Sequence, residues 1–300
     1  MSGLAHDHSR WGAGDQLGAG NLLTPERRLA ALGLVREGRL YDLSQTIETG
    51  APRMRPVQTP YVITHGTTWR DGIRRRRALG ATNDAGSNLE RVEMTMHVGT
   101  HIDALGHFSI GERLYNGFAA AESMTDQGLV NLGIEHAPPI ITRGLCLDVS
   151  GLDGGAFLEA GRAVGAADIE QAMQHTSLTA APGDVVFVHT GWGRFFMADN
   201  DRYTAGEPGI DEAAARLLTS WDVVAIGADN MAVEALPGTE HPTKLMPVHQ
   251  HALAEAGVYL IENLVLDALV RDGVTAFCLL LLPVKFKGAT GCPVRPVALV

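Results

Sequence analysis

Three histidines and an aspartate fall within one stretch of eleven residues, His97-Val98-Gly99-Thr100-His101-Ile102-Asp103-Ala104-Leu105-Gly106-His107. Imidazole nitrogen and carboxylate oxygen are the donors that hold a catalytic divalent ion while leaving it an open position. On a continuing strand His97 and His101 would stand about 13 Å apart, at about 3.3 Å per residue, whereas metal bonds to nitrogen or oxygen span only about 2.0–2.2 Å. On a helix these two would share a face, but Asp103 would point nearly opposite His101, since two residues turn a helix by about 200°. The chain therefore has to bend between the histidines. Gly99 with Thr100 is where it can, because glycine reaches backbone conformations other residues avoid. The expectation is a strand followed by a turn, gathering His97, His101 and Asp103 around one ion. His107 then returns to the same cavity as a proton carrier, its ordinary pKa lying near neutrality. Surface or satisfied core positions are the usual fate of a lone histidine; here the ligand types and the turn glycine agree with each other.

The elements that must position this cluster begin with the run before it. Val92, Met94, Met96 and Val98 alternate with Arg91, Glu93, Thr95 and His97, the period-2 pattern of a strand whose polar face ends at His97. Upstream, Thr24 as N-cap and Pro25 as first residue predict a helix of about fourteen residues. Leu40 to Ile47 reads as a strand. Residues 50–88 are the least regular, and Arg70 with Arg74–Arg77 reads as a solvated loop or subunit contact rather than a lure for anionic substrate. Downstream, strands Leu145–Val149, Val185–His189, Val223–Gly227, Val258–Ile261 and Val274–Leu282 alternate with helices. Asp168 caps one helix running through His175, Asp211 caps another, and Pro247 opens a third that holds His249, Gln250 and His251 and stops at Gly257. Polar residues close several strands: His189, Asp229 and Glu262. Open α/β sheets collect their sites at such ends. The pattern implies one α/β domain over residues 21–300 with a mixed sheet. Residues 1–20 are Gly-rich and read as an N-terminal arm, with His6 and His8 in its tail.

Composition narrows the partners. The chain of 300 residues is 45% hydrophobic and 19% charged, enough for a sizeable core. A net charge of −10 argues against nucleic acid or an anionic membrane surface as partner. No apolar run reaches the roughly 20 residues of a membrane span, and no signal-peptide core opens the chain. Cys146, Cys278 and Cys292 have neither metal nor redox spacing, which suits buried free thiols in a reducing cytoplasm.

The pattern His97-x3-His101-x-Asp103-x3-His107, with Gly99-Thr100 inside it, resembles the metal-binding motif of the cyclase/kynurenine formamidase family, which includes arylformamidases and manganese-dependent isatin hydrolases. Tyr41-Asp42-Leu43-Ser44, Gly257–Asn263 and Leu282-Pro283-Val284-Lys285-Phe286 resemble its core segments. Arg10–Asp15 and Asn21–Pro25 are similar to its longer members. The resemblance implies a swivelling β/β/α architecture, with a barrel-like mixed sheet, flanking helices and a homodimer or higher homo-oligomer. It implies one divalent ion (Mn2+ or Zn2+) on His97, His101 and Asp103, and hydrolysis of an amide, lactam or ester in a small aromatic or cyclic substrate. Such an ion lowers the pKa of water from 15.7 to about 7 and polarises the carbonyl. His107 would carry the proton to the leaving group.

Arylformamidases hold a second zinc on the shared aspartate, a later histidine and a later glutamate. Glu262 matches that glutamate, but counting back to the histidine lands on Gln250, a poorer zinc ligand. Gln250 and Glu262 thus stand as second-metal or supporting positions, and a single ion is favoured. No tryptophan closely follows Tyr41–Ser44, so Trp69 or Trp192 would have to supply the aromatic wall, with core packing the plainer use of each. N-formylkynurenine hydrolysis with two zinc ions is therefore the alternative. Rivals of other classes are an iron(II) facial-triad oxygenase, which leaves His97 and His107 unexplained, and a non-catalytic metal-stabilised binding protein.

Overall fold

Val185–Val188 is apolar at every position and every one of these side chains is buried, as expected of a strand covered on both faces. In the computed structural model, which describes residues 10–238 and 243–300, this strand lies at the centre of a curled nine-stranded sheet closing about half a barrel. In chain order the strands of three or more residues are β1 (Leu40–Asp42), β2 (Val62–Thr67), β3 (Leu89–Glu93), β4 (His101–Asp103), β5 (Ile140–Asp148), β6 (Val185–His189), β7 (Ala225–Ala228), β8 (Tyr259–Glu262), β9 (Ala276–Leu281), β10 (Gly291–Pro293) and β11 (Val297–Leu299). The sheet runs β1-β11-β9-β5-β6-β7-β8-β4-β10. Strands β5 to β8 are parallel; every other pairing in the sheet is antiparallel. β2 and β3 form a separate hairpin.

Helices α1 (Pro25–Leu32), α2 (Trp69–Ala78), α3 (Ala166–Thr176) and α4 (Glu212–Ser220) flank the sheet or its excursions. α5 (Pro247–His249) widens into a π-turn over Gln250–Ala256 and stops at Gly257, whose φ of +66° is a left-handed C-cap. Thr24 caps α1 and Asp211 caps α4 as the sequence predicts. The core is a large cluster around β5–β9, with a second, smaller cluster of Ala51, Val98, Trp192, Phe196, Tyr203 and Met231.

Several expectations are corrected. The alternating run does not stay a strand to His97: β3 ends at Glu93, opposite Val62, where Pro60 and Tyr61 lead out of its partner strand. Thr95 then accepts the Thr59 amide at 2.7 Å, and Val98 turns into the second core cluster. Residues 70–77 are helix α2 rather than loop, held by a capping box between Thr68 and Asp71. α1 is eight residues, not fourteen; only Ala31 in it is buried, so no apolar stripe secures further turns. β1 is three residues because Gln45 leaves the ladder to donate its amide to Thr100. Asp168 sits at the third residue of α3 and accepts from Gly165, the actual N-cap. His6 and His8 lie outside the described residues. From Asp15 onward the predicted arm packs on the body: the Ala19 amide donates to Gly257 O at 2.8 Å, and Tyr115 donates to Asp15. Cys146, Cys278 and Cys292 are buried free thiols. Among the described residues no helix is long and apolar enough to cross a membrane.

Candidate metal centre

The order of turn and strand is the reverse of the one predicted. His97 sits on the turn, and His101 with Asp103 occupies the three-residue strand β4 that follows. Two residues apart on a strand, these side chains share a face while Ile102 points into the core. Gly99 makes the bend at φ +70°, and a Cβ there would meet Ile47 Cγ1 at 2.6 Å. Thr100 pins the turn by donating to Asn263 O at 2.6 Å. Antiparallel register sets Glu262 of β8 directly across from His101. On the other flank Gly291 of β10 leaves room for the His97 ring, since a Cβ there would come within 2.8 Å of its Cε1. His107 follows on a turn closed by its own amide to Ala104 O.

Asp103 is the hub. Its Oδ1 lies 2.8 Å from His97 Nδ1 and 3.4 Å from His101 Nε2. Its Oδ2 lies 3.7 Å from His249 Nε2 and 4.0 Å from His107 Nε2. Glu262 lies 3.1 Å from His101 Nε2 through Oε2 and 3.2 Å from His249 Nε2 through Oε1. The far nitrogens are tied down. His101 Nδ1–H donates to Gly99 O at 2.9 Å, and His249 Nδ1–H donates to Glu234 at 2.6 Å. When His97 offers Nδ1 inward, its Nε2–H donates to Thr290 Oγ1 at 2.9 Å. Both oxygens of Asp103 and His101 Nε2 are fully buried without a hydrogen-bond partner. Buried polar atoms left so are costly, and this donor set is one a divalent cation satisfies. The sets His97/Asp103/His107 and His101/Asp103/Glu262 each bring their donor atoms within 4.8 Å of one another.

Charge is balanced within the cluster. Burial alone would raise the Asp103 pKa, but the His107, His97 and His101 imidazoles hold it well below the usual carboxylate range. Burial would lower His101, yet Glu262 and Asp103 outweigh it and push His101 up to about 10. Burial likewise opposes His249, which Glu234 and Glu262 push up to about 10. Protons on these imidazoles thus supply the positive charge that a metal ion would bring, so metal uptake releases protons.

The structure brings His97, His101, Asp103, His107 and Glu262 together. It does not bring in Gln250, whose side chain turns away to donate to Ser109 O at 3.1 Å; His249 takes the position instead. Trp192 is 1% exposed in the second core cluster and donates to Tyr203 O, so it is packing rather than pocket wall. Trp69 begins α2 on the β2–β3 excursion, half exposed beneath Arg70. The ring at the cluster is Phe108, 4.6 Å from His249 and 5.0 Å from His107 between centroids. Sequence reasoning missed Phe108, Thr290 and Glu234. Only Phe108, adjacent to His107, carried a signal. His189 and Asp229 form a separate polar group with Asp148 and Asp267.

Fold and site together define an α/β half-barrel with a buried His/carboxylate metal-type centre at the sheet's antiparallel edge. The family model described as “Putative cyclase” matches residues 41–235, and the chain belongs to that cyclase family. Cyclase-like protein 1 of Oryza sativa subsp. japonica is 23% identical over 279 residues, covering 89% of this chain and 81% of that one. A crystal structure titled a novel cyclase superposes with a TM-score of 0.87 at 28% identity, covering 98% of this chain and 99% of the other. Isatin hydrolase A from Labrenzia aggregata shares the fold, with a TM-score of 0.65 at 20% identity over 92% of this chain and 98% of that one.

Proposed function

We propose that this chain is a metal-dependent hydrolase cleaving an amide, lactam or ester bond in a small cyclic or aromatic substrate. The buried, unpartnered donors of Asp103 and His101 carry this reading. Neighbours titled isatin hydrolase and potential metal-dependent hydrolase with cyclase activity support it at the level of fold. His97, His101 and Asp103 would hold one ion, and His249 with Glu262 would help to hold a second. The objection to a second ion rested on Gln250 and falls with it, so aryl formamides stand beside isatin-like lactams as substrates. A bound divalent ion supplies Lewis acidity and acidifies water near neutral pH.

The chain's own residues do the rest. Phe108 offers a ring against which a flat substrate stacks beside His107 and His249. Burial lowers His107 to about 4, with Asp103 opposing and His97 and His249 assisting. At pH 7 the ring is neutral and its nitrogen accepts a proton, to be returned to the leaving nitrogen or oxygen. The test is metal analysis of the purified protein, then assays of aryl formamides, isatin-like lactams and small lactones with Mn2+ or Zn2+. His101→Ala or Asp103→Ala should lose metal and activity together; full activity in metal-free protein would end the proposal. We propose also that the chain works as a homodimer or larger homo-oligomer, supported by the exposed apolar side chains of the β2–β3 excursion. Three buried free cysteines support a reducing, cytoplasmic setting.

A further inference from the structure

We propose that Glu234 is the positioning residue of this centre, holding His249 in the tautomer and orientation that leave Nε2 free for a metal ion. The inference rests on the metal-hydrolase reading above. Glu234 lies beyond β7, is 2% exposed, and directs its carboxylate at one target. It accepts the Val248 amide at 3.3 Å, the His249 amide at 3.1 Å and the His249 Nδ1 proton at 2.6 Å. Three bonds to two adjacent residues fix both the backbone and the ring. Because Nδ1 keeps its proton for Glu234, Nε2 is the nitrogen that would give up its proton to a metal ion, and it faces Glu262 at 3.2 Å and Asp103 at 3.7 Å.

Two comparisons within the site single this contact out. His97 and His101 rest their far nitrogens on a hydroxyl and a peptide carbonyl, whereas His249 rests on a carboxylate. A carboxylate on the far side of an imidazole makes it a more basic ligand, and removing such a partner weakens metal binding by about 10–100-fold. The helix start that carries His249 also needs help. Its N-cap, Met246, sits at φ +55° with no side-chain cap, and Glu234 supplies that cap from another loop. Capping alone would explain the two amide bonds. It would not explain the shortest one, to the ring.

The two roles separate in a metal titration of the full chain. Stripped protein is titrated with Mn2+ or Zn2+ against a chelating indicator, in parallel with thermal unfolding of the metal-free form. Glu234→Gln keeps an acceptor for the ring and removes the charge; it should bind the ion held through His249 about 10–100-fold less tightly. Glu234→Ala should lose more, and Glu234→Gln decides the case if that variant does not fold. His249→Ala should lose the same ion, and adding Glu234→Gln to it should cost nothing further. Wild-type affinity in Glu234→Gln would overturn the proposal. So would a Tm loss in Glu234→Ala with affinity unchanged, undiminished binding in His249→Ala, or additive losses in the double variant. Failure of the hydrolase reading shows elsewhere: His101→Ala would then keep its metal.

Discussion

Asp103 faces four imidazoles, and what distinguishes them is how each is held from behind. Thr290, Gly99 and Glu234 tether three; no such tether holds His107 among the described residues, and its side chain is a quarter exposed. A fixed ring suits a ligand and a free one suits a proton carrier. His107→Ala should therefore lower kcat by about 10²–10⁴ while metal content stays at the wild-type level. Metal loss in that variant would make His107 a ligand instead. At this scale the motif was legible because donor types and spacing sit in one stretch. His249 was not, since counting along a helix assumes a constant turn. The π-turn after His249 takes up one extra residue, and the count slides to Gln250. Glu234 and Thr290 had no legible signal, being joined to their histidines only through the folded sheet.

Elements decide where those residues meet. The parallel strands were readable from continuous apolar runs, but β4 was not, because three residues carry too little pattern. Its geometry depends on the bend before it. Gly99→Ala should destabilise the protein by about 1–3 kcal/mol, from a strained left-handed backbone and a Cβ against Ile47. Metal affinity should fall alongside; denaturant unfolding with parallel metal titration checks both, and an unchanged stability would refute the role given to the bend. The same carboxyl ends of the parallel strands that carry Glu262 hold, further along the sheet, a different charge device. His189 ends β6, with Nδ1 2.8 Å from Asp148 of β5 and Nε2 3.6 Å from Asp267 and 3.8 Å from Asp229 beyond β7. Burial would lower its pKa from 6.5, but the hydrogen bonds to Asp148 and Asp267 and the charge of Asp229 push it up to about 10. A raised histidine pKa stabilises the fold fully below about pH 6.5, and that contribution is lost as pH climbs through about 10. Unfolding free energy should fall across that window in the wild type. In His189→Gln the same window should be flatter; parallel slopes in the two proteins would refute the assignment.

At the scale of the molecule, the β2–β3 excursion stands apart from the acidic body in charge and carries a group of exposed apolar side chains. Residues 53–93 hold eight arginines against four acidic residues, while the full chain has 24 basic and 34 acidic residues, so the remainder has 16 and 30. That basic excursion carries exposed Val57, Val62, Ile63, Trp69, Leu79, Leu89 and Val92. Its hairpin has only two strands, and such a ribbon is marginal in water unless something packs on it. Ile63 and Val92 face each other in register, each about half exposed. The acidic body of a second copy would be a complementary cover, joined by apolar contact and opposite charge. Light scattering should therefore give at least twice the chain's 32.0 kDa. Ile63→Lys with Val92→Lys should shift it toward the single-chain mass without unfolding, since both side chains already meet solvent. Raising salt to 1 M, where the Debye length shrinks to about 3 Å, should weaken assembly in the wild type. A wild-type mass of 32.0 kDa at micromolar concentration would show that a second copy is not what covers the arm.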